Sequence, residues 1–253
     1  MERVILIGAG RLAYHLGRAL QAAEFDLIGL YNRTADNGKE LAEALDAELY
    51  LNYDEIPKDA DWYIIAVSDS AIEEVSEHLN GVSGLVTHTS GSVDLETLVK
   101  HPKRGVFYPL QTLSRRKAVH FQDIPMLVEG VDPETEESLV GAATRISNRV
   151  ERIDSQQRQY LHLSAVFACN FSNHMYTIAE KLMKSRDMRF DLLHPLIVET
   201  TEKALEKGPA AAQTGPALRG DQPTIDKHVT LLKRQDWADL YKLISENIQQ
   251  NKA

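Results

Sequence analysis

The feature that most constrains the fold is a glycine-rich turn close to the start of the chain. Residues 4–7 form a short apolar run typical of a buried strand, and residues 12–23 repeat apolar side chains at helical spacing. Between them stand Gly8, Gly10 and Ala13, in the spacing G-x-G-x-x-A. This order is typical of dinucleotide-binding folds, because Gly10 lets the backbone approach a pyrophosphate that the helix N-terminus faces.

Short apolar runs alternate with helical patterns through the first part of the chain. Residues 62–67 and 85–88 are two of the predicted strands, and helical segments separate many of the others. This alternation predicts an α/β fold with a Rossmann-type doubly wound parallel sheet. The later pattern is helical, so we predict a second, all-α C-terminal domain. The two predicted domains are a dinucleotide-binding domain at 1–153 and a substrate and dimerisation domain at 154–253.

Charge and cysteine content exclude several classes of protein. The chain has 28 Lys and Arg against 37 Asp and Glu, a net charge of −9, which argues against nucleic-acid and anionic-membrane partners. The single cysteine, Cys169, cannot form an intramolecular disulfide and is predicted to be a small core residue. No apolar run reaches the roughly 18–20 residues that span a bilayer. These features predict a cytoplasmic protein that acts on a small molecule.

The residues that follow the second predicted strand, 26–31, select between the two nicotinamide cofactors. An NAD-binding protein of this fold usually carries Asp or Glu there, because a carboxylate accepts a hydrogen bond from the ribose 2′-hydroxyl. This chain carries Asn32, Arg33 and Thr34 instead. Arg33 would attract a 2′-phosphate that an acid would repel, so we predict NADP. The alternative is that Arg33 is a solvated surface residue.

Segments beyond the glycine turn carry a family resemblance. Residues 66–72, Ala-Val-Ser-Asp-Ser-Ala-Ile, resemble a segment of the 6-phosphogluconate dehydrogenase-like superfamily. That superfamily includes pyrroline-5-carboxylate reductase, ketopantoate reductase and the coenzyme F420-dependent NADP oxidoreductase domain. Residues 88–92, 105–112 and 214–221, together with His228, resemble a narrower group, the Rossmann-like proteins with a C-terminal DUF2520 domain.

This resemblance implies a Rossmann domain followed by a helical domain, a nicotinamide cofactor and a homodimer. It implies no particular substrate. In the superfamily, the segment that corresponds to 66–72 lies beside the cofactor. The predicted cofactor-binding residues are Gly8, Ala9, Gly10, Arg11, Leu12, Asn32, Arg33, Thr34, Val67, Ser68, Asp69 and Ser90.

Three segments supply candidate residues for chemistry: the loop 88–92, the predicted long helix 155–185 and the segment 208–221. The loop 88–92 follows the fifth strand, at the edge where open α/β sheets bind their ligands. There Ser90 offers a hydroxyl and Gly91 permits close approach, although serine and glycine are also ordinary turn residues. On the following long helix, His162 and Asn170 are about 80° apart around the axis of a regular helix, so one surface can show both.

Related hydroxyacid dehydrogenases carry a lysine four residues before this asparagine, where the present chain has Val166. His162 is therefore the candidate general acid, because an imidazole titrates near neutral pH, and Asn170 would orient the substrate. The alternative for His162 is a structural role. Arg219 would clamp an acidic group of the substrate. Asp221 would either orient that group or cap the next helix.

Together these features predict an NADP-dependent oxidoreductase that transfers a hydride between NADPH and a carbonyl or imine carbon of a small, acidic metabolite. The alternatives are a non-catalytic NADP(H)-binding sensor or scaffold and an S-adenosylmethionine-dependent transferase. The wider group often has a histidine at the position of Tyr108. Because this chain has tyrosine there instead, we predict a packing or cofactor-lining role for Tyr108 rather than a catalytic one. No metal site is predicted. The predicted catalytic residues are Ser90, His162, Asn170 and Arg219.

Overall fold

One eight-stranded sheet organises the computed structural model, which describes residues 2–114 and 119–251. The strands in these two ranges are β1 Arg3–Ile7, β2 Asp26–Tyr31, β3 Glu48–Tyr50, β4 Trp62–Ile65, β5 Leu85–His88, β6 Arg104–Pro109, β7 Met126–Gly130 and β8 Val150–Arg152. Their order across the sheet is β3-β2-β1-β4-β5-β6-β7-β8. The sheet is doubly wound, because the chain first moves outward from β1 to β3 and then continues from β4 on the other side of β1.

Parallel pairing gathers the loops of the site at one edge of the sheet. Ile7 of β1 pairs with Tyr31 of β2 and with Ile65 of β4, and Ile65 pairs with His88 of β5. The loops that follow these strands therefore lie side by side at the carboxyl edge. Only the pairing of β6 with β7 is antiparallel among the described strands, which departs from the predicted parallel sheet.

Helices cover both faces of this sheet. The helices of the first part of the chain are α1 Arg11–Ala22, α2 Ala35–Leu45, α3 Ile72–His78, α4 Pro133–Thr144 and α5 Ser155–Ala165. Buried apolar residues form two clusters, and successive residues of β1 alternate between them, with Leu6 in one and Ile7 in the other. Helices α1, α2 and α4 complete the first cluster and α3 the second. Coverage on both faces explains why the strands are apolar throughout rather than alternating.

The chain divides into two compact units, Met1–Phe171 and Ser172–Ala253. The predicted domain boundary at 153/154 instead lies just after β8, where strands alternating with helices give way to helices alone. Helix α5 lies in the first unit because Arg158 bonds to Glu129 of β7. The predicted assignment of functions to 1–153 and 154–253 stays a prediction.

The second unit is helical, as predicted. Its helices are α6 Ser172–Lys184, α7 His194–Lys207, α8 Pro209–Ala212, α9 Pro216–Arg219, α10 Gln222–Leu231 and α11 Gln235–Gln250. The stretch 208–222 is rich in Ala, Gly and Pro, a composition that predicts a loop. It instead holds the one-turn helices α8 and α9, each of which begins with a proline. Within 2–114 and 119–251, no helix is long and apolar enough to cross a membrane.

A π-helical segment, Val166–Phe171, lies between α5 and α6. The sequence predicts one regular helix over 155–185, and it contains no signal for this wider turn. Cys169 lies in the segment and is exposed, so the prediction of a core cysteine is wrong. The prediction failed because the apolar pattern of this segment resembles that of a core helix, whereas none of its six residues is buried by the rest of the described chain.

Candidate cofactor and active site

The turn between β1 and α1 has the conformation that its glycines require. Gly8 has a φ of +111°, a region that residues with a side chain rarely adopt. A Cβ on Gly8 would lie 2.5 Å from the carbonyl oxygen of Ala66. The Gly8 N–H donates to the Tyr31 carbonyl at 2.7 Å, which ties the turn to β2. A Cβ on Gly10 would meet its nearest neighbour at 4.0 Å, so a ligand can approach the backbone there.

Helix α1 directs its N-terminus toward this turn. Gly10 is the N-cap residue and brings no side-chain oxygen. The first turn of the helix contains Arg11 and no acidic residue. The positive end of the helix dipole therefore faces the turn without a neutralising carboxylate. Such an end favours an anionic group, as the pyrophosphate of a dinucleotide is.

Asn32 links the glycine turn to the loop after β2. Its Oδ1 accepts a hydrogen bond from the Ala9 N–H at 3.1 Å, and its Nδ2 donates to the Thr34 carbonyl at 2.7 Å. Asn32 stands where NAD-binding proteins of this fold carry an acid, and its side-chain amide is hydrogen-bonded to the backbone of the protein itself. Arg33 follows it and is exposed at the rim of the site.

The turn opens into a cavity of about 580 Å³, a volume typical of small-molecule and cofactor sites. The cavity extends from the glycine turn to the ends of β5 and β6 and to α5. The predicted site residues that line it are Gly8, Ala9, Gly10, Arg11, Leu12, Asn32, Arg33, Val67, Ser68, Asp69, Ser90 and His162. The predicted residues Thr34 and Asn170 are not among its lining residues.

Four lining residues belong to no sequence motif: Tyr31, Tyr53, Glu74 and Val75. The cavity is also lined by Ala66, Ala71, Thr89, Gly91 and Tyr108, which lie in the segments 66–72, 88–92 and 105–112. The cofactor-lining role predicted for Tyr108 agrees with its place in this cavity. The rings of Tyr31 and Tyr53 stack with centroids 4.2 Å apart, and Tyr53 stacks on His78 at 4.1 Å. Burial raises the pKa of Tyr53, so its phenol stays neutral. The stack gives this end of the cavity a flat aromatic wall.

Ser90 organises the turn that follows β5. Its Oγ accepts hydrogen bonds from the Ser92 N–H at 3.0 Å and from the Val93 N–H at 3.1 Å. The Ser92 hydroxyl donates to Asp69 Oδ2 at 2.5 Å. These contacts are ordinary turn chemistry, the alternative that the sequence left open. Ser90 nevertheless lines the cavity. Its own hydroxyl proton faces Ser92 Oγ across 3.4 Å, because the Ser92 proton goes to Asp69, and this long contact is weaker than a bond to a substrate oxygen would be.

His88, the last residue of β5, is fully buried behind this turn. Its Nδ1 accepts a hydrogen bond from the Ser90 N–H at 3.2 Å, so the neutral ring carries its proton on Nε2. Burial, and next the charge of Arg158, lower the pKa of His88 to about 4. The ring is therefore neutral at physiological pH and supports the Ser90 turn as a hydrogen-bond acceptor.

His162 reaches the cavity from α5 and meets Tyr108 at the end of β6. The distance between His162 Nδ1 and the Tyr108 hydroxyl oxygen is 3.2 Å. A Cβ on Gly91 would lie 2.6 Å from His162 Nδ1 and 2.8 Å from Tyr108 Cζ, so a glycine is needed where the three residues meet. Burial raises the pKa of Tyr108, and the negative charge of Asp69 adds to the effect.

Arg158 anchors α5 to the sheet beneath the Ser90 turn. Its side chain is fully buried and pairs with Glu129 of β7. The guanidinium also donates to the Val93 carbonyl at 2.5 Å and to Ser155 Oγ at 3.1 Å. Because Val93 belongs to the turn that Ser90 holds, this network fixes the helix of His162 relative to that turn. Arg158 belongs to no sequence motif, and an arginine on a helix is ordinarily a surface residue, so no local signal marks it as buried.

The other predicted residues lie outside this cluster. Asn170 is exposed in the π-helical segment, whose wider turn removes the regular-helix spacing that related it to His162. Arg219 ends α9 in the second unit, and its role stays a prediction. Asp221 caps α10, where its carboxylate accepts a hydrogen bond from the Thr224 N–H at 3.2 Å. This contact supports the helix-cap alternative.

A glycine turn at the centre of a doubly wound sheet, with a cavity along the carboxyl edge, defines the Rossmann class of dinucleotide-binding folds. Two family models match: "Oxidoreductase family, NAD-binding Rossmann fold" over residues 2–83 and "Domain of unknown function (DUF2520)" over residues 124–248. The "putative NADP oxidoreductase BF3122" from Bacteroides fragilis is 40% identical, covers 99% of this chain and 98% of its own, and superposes with a TM-score of 0.92. The chain belongs to this family of Rossmann-fold proteins with a C-terminal DUF2520 domain, which confirms the resemblance.

Two further solved structures share the fold. Protein TM1727 from Thermotoga maritima is 22% identical, with a TM-score of 0.74 and coverage of 98% of this chain and 97% of that one. An imine reductase from Myxococcus stipitatus in complex with NADP+ is 15% identical, with a TM-score of 0.73 and coverage of 99% and 95%. Identities this low show the fold alone. A search of curated proteins finds no match.

Proposed function

We propose that the chain is a cytoplasmic, NADPH-dependent oxidoreductase that transfers a hydride between NADPH and a carbonyl or imine carbon of a small, acidic metabolite. One observation carries this proposal: a single cavity in the first unit joins Gly10 of the dinucleotide turn to Ser90, Tyr108 and His162. A dinucleotide that lies along the carboxyl edge would thus reach hydroxyl, phenol and imidazole groups. These groups can donate protons to a reacting oxygen or nitrogen.

The residues of the cavity fit a nicotinamide dinucleotide. The open backbone at Gly10 and the N-terminus of α1 would hold the pyrophosphate. When bound, the cofactor supplies or accepts the hydride, which no amino-acid side chain can do. The protein then has to bind the substrate, orient it and move one proton.

Arg33 favours NADP over NAD in this proposal. Its guanidinium lies on the exposed rim of the cavity, directly after Asn32, where NAD-binding proteins of this fold carry an acid. A guanidinium can bind a phosphate through two parallel hydrogen bonds. One similar structure supports the assignment, since the 40% identical protein from Bacteroides fragilis is described as a "putative NADP oxidoreductase".

The Arg33→Asp variant tests this choice of cofactor. We expect its NADPH affinity to fall by roughly 10- to 100-fold, because a charge-assisted contact contributes about 1.5–3 kcal/mol and the new carboxylate repels the 2′-phosphate. NADH affinity should change less. Calorimetric titration with both cofactors measures the difference. Arg18→Asp, the same charge change at an exposed position of α1 outside the cavity lining, is the control, and equal losses in both variants would contradict the assignment.

The proposed roles of the polar residues follow from where each lies. Ser90 can donate its hydroxyl proton to a carbonyl oxygen or imine nitrogen in the cavity that it lines. His162 takes part in proton transfer from the same cavity. For Arg219 we retain the role of neutralising an acidic group of the substrate, since a guanidinium binds a carboxylate in two places. Asn170 as the orienting group remains a prediction.

A non-catalytic NADP(H)-binding sensor is the second candidate function. The observation that favours it is Val166, which stands where related dehydrogenases carry a catalytic lysine. The test is oxidation of NADPH, followed by absorbance, with small 2-oxo acids and cyclic imines as probes. An enzyme should oxidise NADPH with at least one probe, and NADPH alone should raise its melting temperature. A raised melting temperature without oxidation would favour the sensor.

We also propose that a second copy of the chain covers the second unit. Helices α6 and α7 contain no buried residue, although each has an apolar face. Helices of this length gain most of their stability in proteins by packing that face. The exposed large apolar side chains described in this unit are Tyr176, Leu182, Met188, Leu192, Leu196, Val198, Leu205, Leu231, Leu243 and Ile244.

A second copy fits because the unit presents two complementary apolar surfaces. One is a groove of about 310 Å³ between α6, α9 and α11, with Leu182 and Trp237 in its lining. The other is α7, where Leu205 is 83% exposed. A two-fold axis uses the same patch of both copies, so one chain can supply both surfaces. An uncovered apolar surface of this extent is unusual on a monomer.

Light scattering after size-exclusion chromatography tests this dimer. We expect the wild-type protein to have twice the mass of the chain. Leu196→Asp places a charge on the exposed apolar face of α7, and we expect it to shift the protein to the monomer or to make it insoluble. The control is Glu202→Ala, an exposed polar position of the same helix that should keep the dimer. A wild-type monomer would exclude the proposed dimer.

A further inference from the structure

The hydrogen bond between Tyr108 and His162 has two possible directions. Either the phenol donates its proton to His162 Nδ1, or Nδ1–H donates to the phenol oxygen across the same 3.2 Å. In the second arrangement the phenolic O–H is left to point into the cavity that Tyr108 lines. The direction of this bond therefore decides which of the two residues can give a proton to a bound molecule.

We propose that Tyr108 gives the proton to the substrate and that His162 replaces it through Nδ1. This inference rests on the proposed function, because it requires a substrate and a reduced nicotinamide in the same cavity. It makes Tyr108 a catalytic residue, beyond the lining role that the sequence favoured. His162 becomes the source from which the phenol regains its proton.

Rigid elements hold the pair in place. Tyr108 extends from β6, whose preceding residues Val106 and Phe107 are fully buried. His162 extends from α5, which the buried Arg158 fixes to β7 through Glu129. A pair held by a strand and an anchored helix keeps its geometry without a bound ligand, as proton transfer requires.

The two environments suit the two roles. Burial and the charge of Asp69 raise the pKa of Tyr108, which makes the phenol a weaker acid that is protonated at neutral pH. It would give up its proton only to the strongly basic oxygen or nitrogen that hydride addition creates. His162 is half-buried, so its ring can exchange protons with water through Nε2. His88, the other imidazole near this turn, is fully buried and neutral and cannot serve as this reservoir.

The bond changes balance with water as the final source of the proton. A bound reduced nicotinamide would supply the hydride: one of its C–H bonds breaks, a C–H bond forms at the substrate carbon, and the π bond of the C=O or C=N group breaks. Its electron pair takes the phenolic proton of Tyr108 at oxygen or nitrogen. The phenolate takes the Nδ1 proton of His162 while Nε2 takes a proton from water, which leaves hydroxide in the solvent. Exchange with water then returns the ring to its Nδ1–H form.

The tautomer of His162 in the ligand-free protein tests the proposal directly. Nitrogen NMR distinguishes Nδ1–H from Nε2–H, and the His162→Gln variant identifies the resonances that belong to this ring. We expect Nδ1–H in the wild type, and loss of that preference in Tyr108→Phe, because its acceptor is gone. An Nε2–H ring in the wild type would overturn the proposal, since the phenol would then donate to Nδ1 and face away from the substrate.

Kinetics supply the second readout. With a probe that the wild type reduces, Tyr108→Phe should lower kcat by about 100-fold or more while NADPH affinity is unchanged. Tyr160→Phe, which removes a 66% exposed phenol from α5 outside the cavity lining, should keep the wild-type kcat. An unchanged kcat in Tyr108→Phe would also overturn the proposal. Failure of the wild type to bind NADPH would instead refute the proposed function and leave the tautomer result standing.

Discussion

Replacing Arg158 with methionine should lower the free energy of unfolding by about 3–5 kcal/mol, a large fraction of the stability of an ordinary domain. Arg158 is fully buried, and the side chain of its partner Glu129 is only 14% exposed. Removing the guanidinium leaves the carboxylate in the interior without a compensating charge. Methionine keeps a long apolar side chain in place, so the change tests the lost charge more than the lost volume.

The neighbours of Arg158 add to the expected loss. The guanidinium also donates to the Val93 carbonyl and to Ser155 Oγ, and both acceptors lose a partner in the variant. A buried acceptor left without a hydrogen bond costs roughly 1–3 kcal/mol. Because Val93 belongs to the turn held by Ser90, we expect that turn to loosen, and NADPH binding to weaken with it.

Arg152→Ala is the matched control for this prediction. Arg152 on β8 pairs with Glu136 and Glu137, but its side chain is 51% exposed. A surface pair contributes about 0–1 kcal/mol, so the control should unfold almost like the wild type. Urea denaturation measures both variants, at a fixed protein concentration because the stability of the proposed dimer would depend on it. Equal losses of unfolding free energy in the two variants would contradict the prediction, because the buried Arg158 pair would then contribute no more than a surface pair.

The parts of the fold that the sequence predicts are those set by nearby residues. The apolar run 4–7, the turn at Gly8 and the helical period of 12–23 each depend on neighbours a few positions apart. The first strand and helix accordingly begin and end within about one residue of their predicted positions, on either side of the predicted turn. The edge that gathers the binding loops followed from the rule for parallel sheets.

The contacts of the site could not be predicted in the same way. Tyr108 and His162 are 54 residues apart in the chain, and Glu129 and Arg158 are 29 apart. Such pairs meet only because of strand order and helix packing, which leave no spacing pattern in a single sequence. The burial of individual helices could not be predicted either. Helices α6 and α7 each have an apolar face, a pattern typical of helices packed on a core, yet neither contains a buried residue.

Replacing Gly8 with alanine should have two effects: it should destabilise the fold, and it should abolish NADPH binding. The new Cβ would meet the Ala66 carbonyl oxygen at 2.5 Å, and the residue would be held at a φ of +111°. A strained backbone conformation of this kind costs about 1–3 kcal/mol, and the overlap with a neighbouring backbone adds to it. Relief requires the turn to move, and the turn carries the N-terminus of α1 that would bind the pyrophosphate.

Two other glycines separate these effects. Gly10→Ala places its Cβ in open space at a φ of −72°, so we expect wild-type stability with weakened NADPH binding, because the methyl group occupies the path of the pyrophosphate. Gly141→Ala, with no atom within 4 Å of the new Cβ in helix α4, should gain about 0.5–1 kcal/mol and bind NADPH normally. Thermal unfolding and calorimetric titration measure all three variants. If Gly8→Ala kept both its stability and its NADPH affinity, the strained turn would have no part in binding the dinucleotide.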